Sequence, residues 1–156
     1  MSNESRSQSG FTMVETLVAL VVLAIGMLGI AALYLNSLQA GRTAIYRTQA
    51  VNLAADLADR IRANRTAIAA YASDYADTFA EVPACFTTAG CSAAALATSD
   101  LSRWKADIEE LLPNGQGQVG VTLPPGAGQP AGFVITVQWA EVGEVNPVTF
   151  QLGFST

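Results

Sequence analysis

The chain has 156 residues, of which 51% are hydrophobic and only 13% charged, with a formal net charge of −5 and no histidine. That length suits one domain. The absence of histidine, together with a single cysteine pair, removes most metal sites and every histidine-based catalytic triad from consideration.

In chain order, the first stretch is short and polar. Residues 1–10 are rich in Ser and hold no apolar run, so they cannot be the h-region of an ordinary secretory signal. Gly10-Phe11-Thr12-Met13-Val14-Glu15 then runs directly into an apolar segment from Leu17 to Leu35. A hydrocarbon core takes about 20 apolar residues to cross as a helix, and between Ser7 and Gly41 the only charged side chain is Glu15. Unpaired charge at membrane depth costs at least a few kcal/mol, so such groups tend to be paired and functional. The bland alternative places Glu15 in the headgroup region, where the helix N-terminus favours an anion.

The helical pattern continues past the apolar segment, because Gln39 to Ala67 contains no proline and only Gly41 as glycine. Ala50, Leu53, Ala54, Leu57, Ala58 and Ile61 recur at three and four residues and draw one apolar stripe on which a head can pack. Asp56 and Arg60 are spaced for an i,i+4 pair. From Thr12 to about Ile68 a single helix would run on the order of 85 Å at 1.5 Å per residue. Gly26 and Gly29 lie inside its apolar part, where small residues permit close helix approach or local unwinding, or are simply tolerated.

After Tyr71 the pattern loosens through Tyr75, Phe79 and Cys85-Phe86-Thr87-Thr88-Ala89-Gly90-Cys91. A second helix is expected from Ser99 or Asp100, either a suitable cap, with Trp104, Ile108, Leu111 and Leu112 as its buried face. Pro113-Asn114-Gly115 stops it. Three alternating runs follow: Val119, Val121 and Leu123; Phe133, Ile135, Val137 and Trp139; Val148, Phe150, Leu152 and Phe154. Punctuated by Gly and Pro, they predict antiparallel strands with one face buried. The expected fold is α+β, a small antiparallel sheet packed on the amphipathic half of the long helix.

A polar leader ending in Gly10, then Phe11, Thr12 and Glu15, then an apolar helix, resembles the class III signal of type IV prepilins and related pseudopilins. The resemblance implies cleavage between Gly10 and Phe11 by a prepilin peptidase at the cytoplasmic membrane face, followed by N-methylation of Phe11. It also implies that the Glu15 carboxylate pairs with the Phe11 ammonium of a neighbouring subunit; a buried ion pair is best attested as a device for setting register. The implied shape is a pilin-like lollipop. Residues 1–10 would be a cytoplasmic leader, 11–36 the membrane and filament-core half of the helix, 37–70 its amphipathic half, and 71–156 a periplasmic head. The proline that many major pilins carry midway along this helix is missing, Ile30-Ala31-Ala32 standing there instead. Charge counting alone does not orient the segment, since Arg6 is offset by Glu4 while Arg42 and Arg47 follow the helix.

Cys85 and Cys91 enclose five residues. They look like a disulfide-pinned turn, which an extracytoplasmic head would hold oxidised; read as a metal half-site, the pair lacks any second Cys pair or histidine to complete it. A loop this short removes little chain entropy and fixes local shape.

A second resemblance runs through the middle of the chain. Tyr46-Arg47-x-Gln49-Ala50, Ala55-Asp56-x-x-Asp59-Arg60-x-Arg62-Ala63-Asn64-Arg65, the Cys pair, Asp100-x-x-x-Trp104 and Leu112-Pro113-x-Gly115-x-Gly117 look like the type IV pilus modification proteins, the PilV family of minor pilins. Asn114 departs from that pattern, where Gly is the commoner residue. The resemblance implies a structural protein with no enzymatic activity and no cofactor. Its expected partners are prepilin peptidase, other major and minor pilins, the inner membrane and, as a further candidate, a large tip adhesin. Pilus assembly, twitching motility and adhesion are the implied roles. A type II secretion pseudopilin is the alternative, and a membrane-tethered binding or enzymatic domain a weaker one.

The remaining chemistry is sparse. Asp74, Asp77 and Glu81 lack the alternating ligands and turn glycine of an EF-hand loop and read as solvated acids. Gly115-x-Gly117 to Gly120 has no following Lys-Ser or Lys-Thr and reads as a helix-to-strand turn, not a phosphate loop. Trp104 and Trp139 read as core. Arg42 to Arg65 carries five Arg against Asp56 and Asp59, whereas Thr66 onward sets Arg103 and Lys105 against nine acids. So acidic a head argues against nucleic-acid binding through a basic groove.

Overall fold

The computed structural model describes residues 10–123, 126 and 129–156. The leader expected at 1–9 lies outside the described residues, as does part of the turn expected between the first two strands. The chain divides into an N-terminal unit ending at Gly41 and a second unit, Arg42–Thr156.

The first helix, α1 (Met13–Ala63), is uninterrupted over 51 residues. Gly26 and Gly29 leave no unwound turn in it, and a Cβ built at either would meet nothing within 4 Å, so neither glycine is required by the isolated helix. Up to Arg42 every described residue is exposed. This apolar segment is long and apolar enough to cross a membrane.

In the second unit the character of α1 changes. Ala50, Leu53, Ala54, Leu57, Ala58 and Ile61 are buried, the stripe that the three-and-four spacing predicts. The helix ends at Ala63, short of Ile68, because Asn64 leaves helical geometry at φ −112° and ψ 55° and a 3-10 turn, Arg65–Tyr71, follows. Asn64 is held at that break by its side-chain amide, which donates to the Tyr71 hydroxyl and the Ala93 carbonyl.

The second helix, α2 (Ala93–Leu111), begins six residues earlier than Ser99, with Ser92 as its N-cap accepting from the Ala95 N–H at 3.2 Å. The run Ala93-Ala94-Ala95-Leu96-Ala97 looks loop-like for its small side chains, yet Ala has the highest helix propensity of any residue. Ser99 is a buried interior residue whose hydroxyl accepts from the Val82 N–H at 2.8 Å. Leu101, Trp104, Ile108 and Leu112 form the buried face, while Leu111 turns to solvent at 43% exposure. Asn114 takes the left-handed conformation at φ 49°, which Asn adopts at lower cost than other side chains.

Three strands, β1 (Gln116–Thr122), β2 (Gly132–Trp139) and β3 (Val148–Ser155), make one antiparallel sheet in the order β1-β2-β3. Val119, Phe133, Ile135, Val137 and Trp139 point into the core with the α1 stripe and the α2 face. Leu123 falls just outside β1 and is exposed. Both helices lie on the same face of the sheet. Trp104 and Ile108 of α2 press against Gly117 of β1, where a Cβ would come within 2.5 Å of the indole, and Arg62 of α1 lies 4.7 Å over the Phe154 ring of β3. The result is an α+β head whose first layer is the C-terminal part of the long helix.

Candidate functional site

The N-terminal determinants sit at the start of α1. Gly10, Phe11 and Thr12 precede the helix in open chain, and Phe11 is 80% exposed. Thr12 caps the first turn, its hydroxyl oxygen and carbonyl both accepting from the Glu15 N–H, at 3.3 and 3.1 Å. Glu15 therefore stands in the first turn, four residues from Phe11, where the helix dipole favours a carboxylate. The bond between Gly10 and Phe11, where the cut is expected, thus lies in exposed chain ahead of the helix. Gly10 and Phe11 border the leader, and Glu15 is the one charge on the apolar face that follows.

Cys85 and Cys91 form a disulfide that closes the loop between them, which begins in a short 3-10 turn, Pro83–Phe86, ahead of α2. The loop is held by charge as well: the Arg103 guanidinium stacks 4.4 Å over the Phe86 ring and pairs with Glu81 at 3.1 Å. The acids Asp74 and Asp77 do not converge on a cation site. Lys105 donates instead to the backbone carbonyls of Asp74, Tyr75 and Asp77 and lies near the Phe79 ring. Burial pushes its ammonium below the ordinary lysine value, against the pull of Asp77, Asp74 and Glu109. Among the described residues no cluster of three metal-ligating side chains occurs.

A polar chain, exposed at Asp56 and buried at Asn64 and Tyr71, joins residues that sequence spacing leaves apart. Asp56 holds Arg60 at 2.8 Å, Arg60 reaches Asp100 at 3.4 Å, Tyr71 donates to Asp100 at 2.7 Å, and the Asn64 amide donates to Tyr71 at 3.2 Å and to the Ala93 carbonyl at 2.8 Å. It ties the end of α1 to the first turns of α2. Only the Asp56–Arg60 pair is visible as i,i+4 spacing; Asp100 and Tyr71 lack any such signal. Burial, then the hydrogen bond to Asp100, raises the Tyr71 phenol well above its ordinary value of 10.0. A folded-state pKa raised above the unfolded one contributes stability that is intact below about pH 10 and is lost as pH rises through the folded value. Tyr71→Phe is accordingly expected to destabilise the head by about 1 to 3 kcal/mol near neutrality, by leaving Asp100 and Asn64 short of a partner. The gap from wild type should hold from about pH 8 to about pH 10 and narrow above that, as read from denaturant midpoints of the detergent-solubilised chain; a gap that stays constant or widens above about pH 10 would contradict the assignment.

Trp104 and Trp139 are buried, with indole N–H groups donating to the Leu53 carbonyl at 3.0 Å and to Glu141 at 2.9 Å. They are core residues. Glu141 also accepts from Thr43 at 3.2 Å, fastening the β2–β3 connection to α1.

Against this geometry, the profile of the prokaryotic N-terminal methylation motif matches residues 5–31. The profile of the family described as type IV pilin Tt1218 matches residues 32–102. These matches support a type IV pilin with a class III signal. No curated protein and no solved structure matches the chain. The pilin profile covers the α1 stripe, the disulfide loop and the first turns of α2, and so includes every member of the Asp56–Arg60–Asp100–Tyr71–Asn64 chain. Both matches point to assembly and processing: an apolar helix suited to membrane anchoring, and a motif that implies prepilin peptidase and association with other pilins.

Proposed function

We propose that this chain is a minor pilin of the PilV type, cleaved between Gly10 and Phe11 and N-methylated on Phe11 by prepilin peptidase. Its role is structural. The observation that carries the reading is the exposed, charge-free apolar run of α1 with its one acid, Glu15, in the first turn directly after Gly10-Phe11. Such a surface must be covered by lipid before assembly and by neighbouring helices after it. The leader then lies in the cytoplasm and the head in the periplasm, where the Cys85–Cys91 bridge is stable. Cleavage frees the Phe11 amine, and its ammonium meets Glu15 of an adjacent subunit as the helix leaves lipid for the filament core. The head contributes to an initiating or tip complex with other minor pilins and a tip adhesin, and through it to twitching motility and adhesion.

The first test is the intact mass and N-terminal sequence of the protein from membranes with and without prepilin peptidase. A peptidase-dependent N-terminus at methylated Phe11 supports the reading, and an intact leader in both strains removes it. Gly10→Val is expected to leave the leader attached in the peptidase-positive strain, because a branched side chain obstructs the residue before the cut; a processed Gly10→Val chain would place the cut elsewhere. Deletion followed by twitching and secretion assays separates a pilus from a secretion pseudopilus.

A further inference from the structure

The two edges of the sheet are unlike. On the outer side of β1, Ser73 closes an isolated bridge, exchanging hydrogen bonds of 3.1 and 2.9 Å with Val119. On the outer side of β3 the sheet simply ends.

The register says which groups of β3 face outward. Ala131 and Thr156 exchange both backbone hydrogen bonds, at 3.0 and 3.1 Å. In an antiparallel ladder such pairs alternate with non-bonded ones, so Phe154, Leu152, Phe150 and Val148 bond to β2. The N–H and C=O groups of Thr149, Gln151, Gly153 and Ser155 therefore point away from it. The same alternation turns Val119 outward on β1, where Ser73 meets it. Among the described residues nothing on the backbone meets the four outward positions of β3.

Natural edge strands are kept from pairing by Lys, Pro, bulges or short length. β3 has none of these: Val148–Ser155 is eight residues long, pairs without interruption, and carries no charge and no proline. Beside it runs a groove lined by Arg47, Val51, Trp139, Val148, Thr149 and Phe150. Among the described residues Arg47 makes no ion pair, and no acid lines the groove.

We infer that the β3 edge receives an extended strand of a different protein subunit, apolar at the alternate positions that face α1 and carrying a carboxylate where it passes Arg47. The backbone edge supplies the hydrogen bonds and the groove the selectivity. A second copy of this chain is a poorer occupant. Two-fold pairing of β3 with itself would bring Arg47 of one copy toward Arg62, which lies over Phe154 at the other end of the strand and already occupies the Asp59 carboxylate at 2.8 Å, leaving none free for Arg47. The inference rests on the pilin reading for the setting in which the partner is met, but its test does not.

The probe is a blocked eight-residue peptide alternating Thr and Val and ending in Glu, added to the detergent-solubilised full chain while backbone hydrogen exchange is followed. The amides of Thr149, Gln151, Gly153 and Ser155 should exchange freely without peptide and slow by at least about tenfold with it. The same peptide N-methylated at alternate residues should give no protection, and a version ending in Lys should bind about tenfold more weakly. Gln151→Pro removes only an outward-facing N–H, so it should keep the β2–β3 ladder and abolish protection; should the proline unfold the head, Gln151→Lys serves instead. Equal protection by the N-methylated or Lys-ended peptide, or none by the Glu-ended one, overturns the inference. Protection that appears without peptide and grows with protein concentration overturns it in favour of a second copy. N-terminal analysis of the same sample keeps the two readings distinct, since an unprocessed chain counts against the pilin and leaves the edge result standing.

Discussion

Glu15→Ala is expected to yield a chain that is cleaved and methylated normally yet is depleted from sheared filaments on the order of a hundredfold. On the apolar surface of α1, Glu15 is the only charge up to Gly41. In lipid the first turn lies near the headgroups, where the dipole and water accommodate the carboxylate. Under the proposed pairing both it and the Phe11 ammonium leave water in the filament core, and deleting one partner of a buried pair costs about 3 to 5 kcal/mol because the other is left uncompensated. The alanine chain pays that penalty only on leaving the membrane, which is why processing is spared. Glu15→Gln should fail like the alanine, since it keeps the shape and loses the charge, and Glu15→Asp should recover part of the incorporation. Immunoblots of sheared filaments beside N-terminal analysis of the membrane fraction read both arms. Normal incorporation of Glu15→Ala would show that the acid is a headgroup residue and not half of an ion pair.

Trp104→Ala is expected to have the largest effect on the head. The indole is fully buried between α1 and β1, donates to the Leu53 carbonyl, and packs so closely on Gly117 that no Cβ fits there. Trp-to-Ala truncations of this kind cost about 3 to 5 kcal/mol through lost burial and the cavity left behind, a large share of the 5 to 15 kcal/mol that typically holds a domain together. The variant should stay membrane-bound, because the apolar part of α1 is unaffected, while its head unfolds at much lower denaturant concentration and becomes protease-sensitive. A loss below about 1 kcal/mol would mean that the site collapses onto the vacancy or that the indole is not at the centre of the core.

The elements with strong periodicity were legible in advance. The α1 stripe from Ala50 to Ile61 and the alternating residues of β2 are both buried as their spacing predicts, since period alone decides which side chains share a face. Weak periodicity explains the differences. The alanine-rich start of α2 carries no pattern to read, and its extension back to Ala93 follows from helix propensity and the Ser92 cap. Leu111, the last helical residue, is half-exposed because the stripe continues from Ile108 through Leu112, which is buried in its place.

For the site the division is similar. Gly10, Phe11, Glu15 and the cysteines are local in sequence, so they can be read without coordinates: the proposed cut site, an acid and an apolar helix follow in order along one segment, and two thiols six positions apart can meet across a turn. The convergence of Asp56, Arg60, Asn64, Tyr71 and Asp100 was settled only by the tertiary structure, because it joins side chains up to 44 positions apart through the angle at which α2 crosses α1. So was the asymmetry of the sheet. Which strand is an edge, and which of its amides face outward, depends on strand order and register, and both arise from packing between segments that carry no mark of their neighbours.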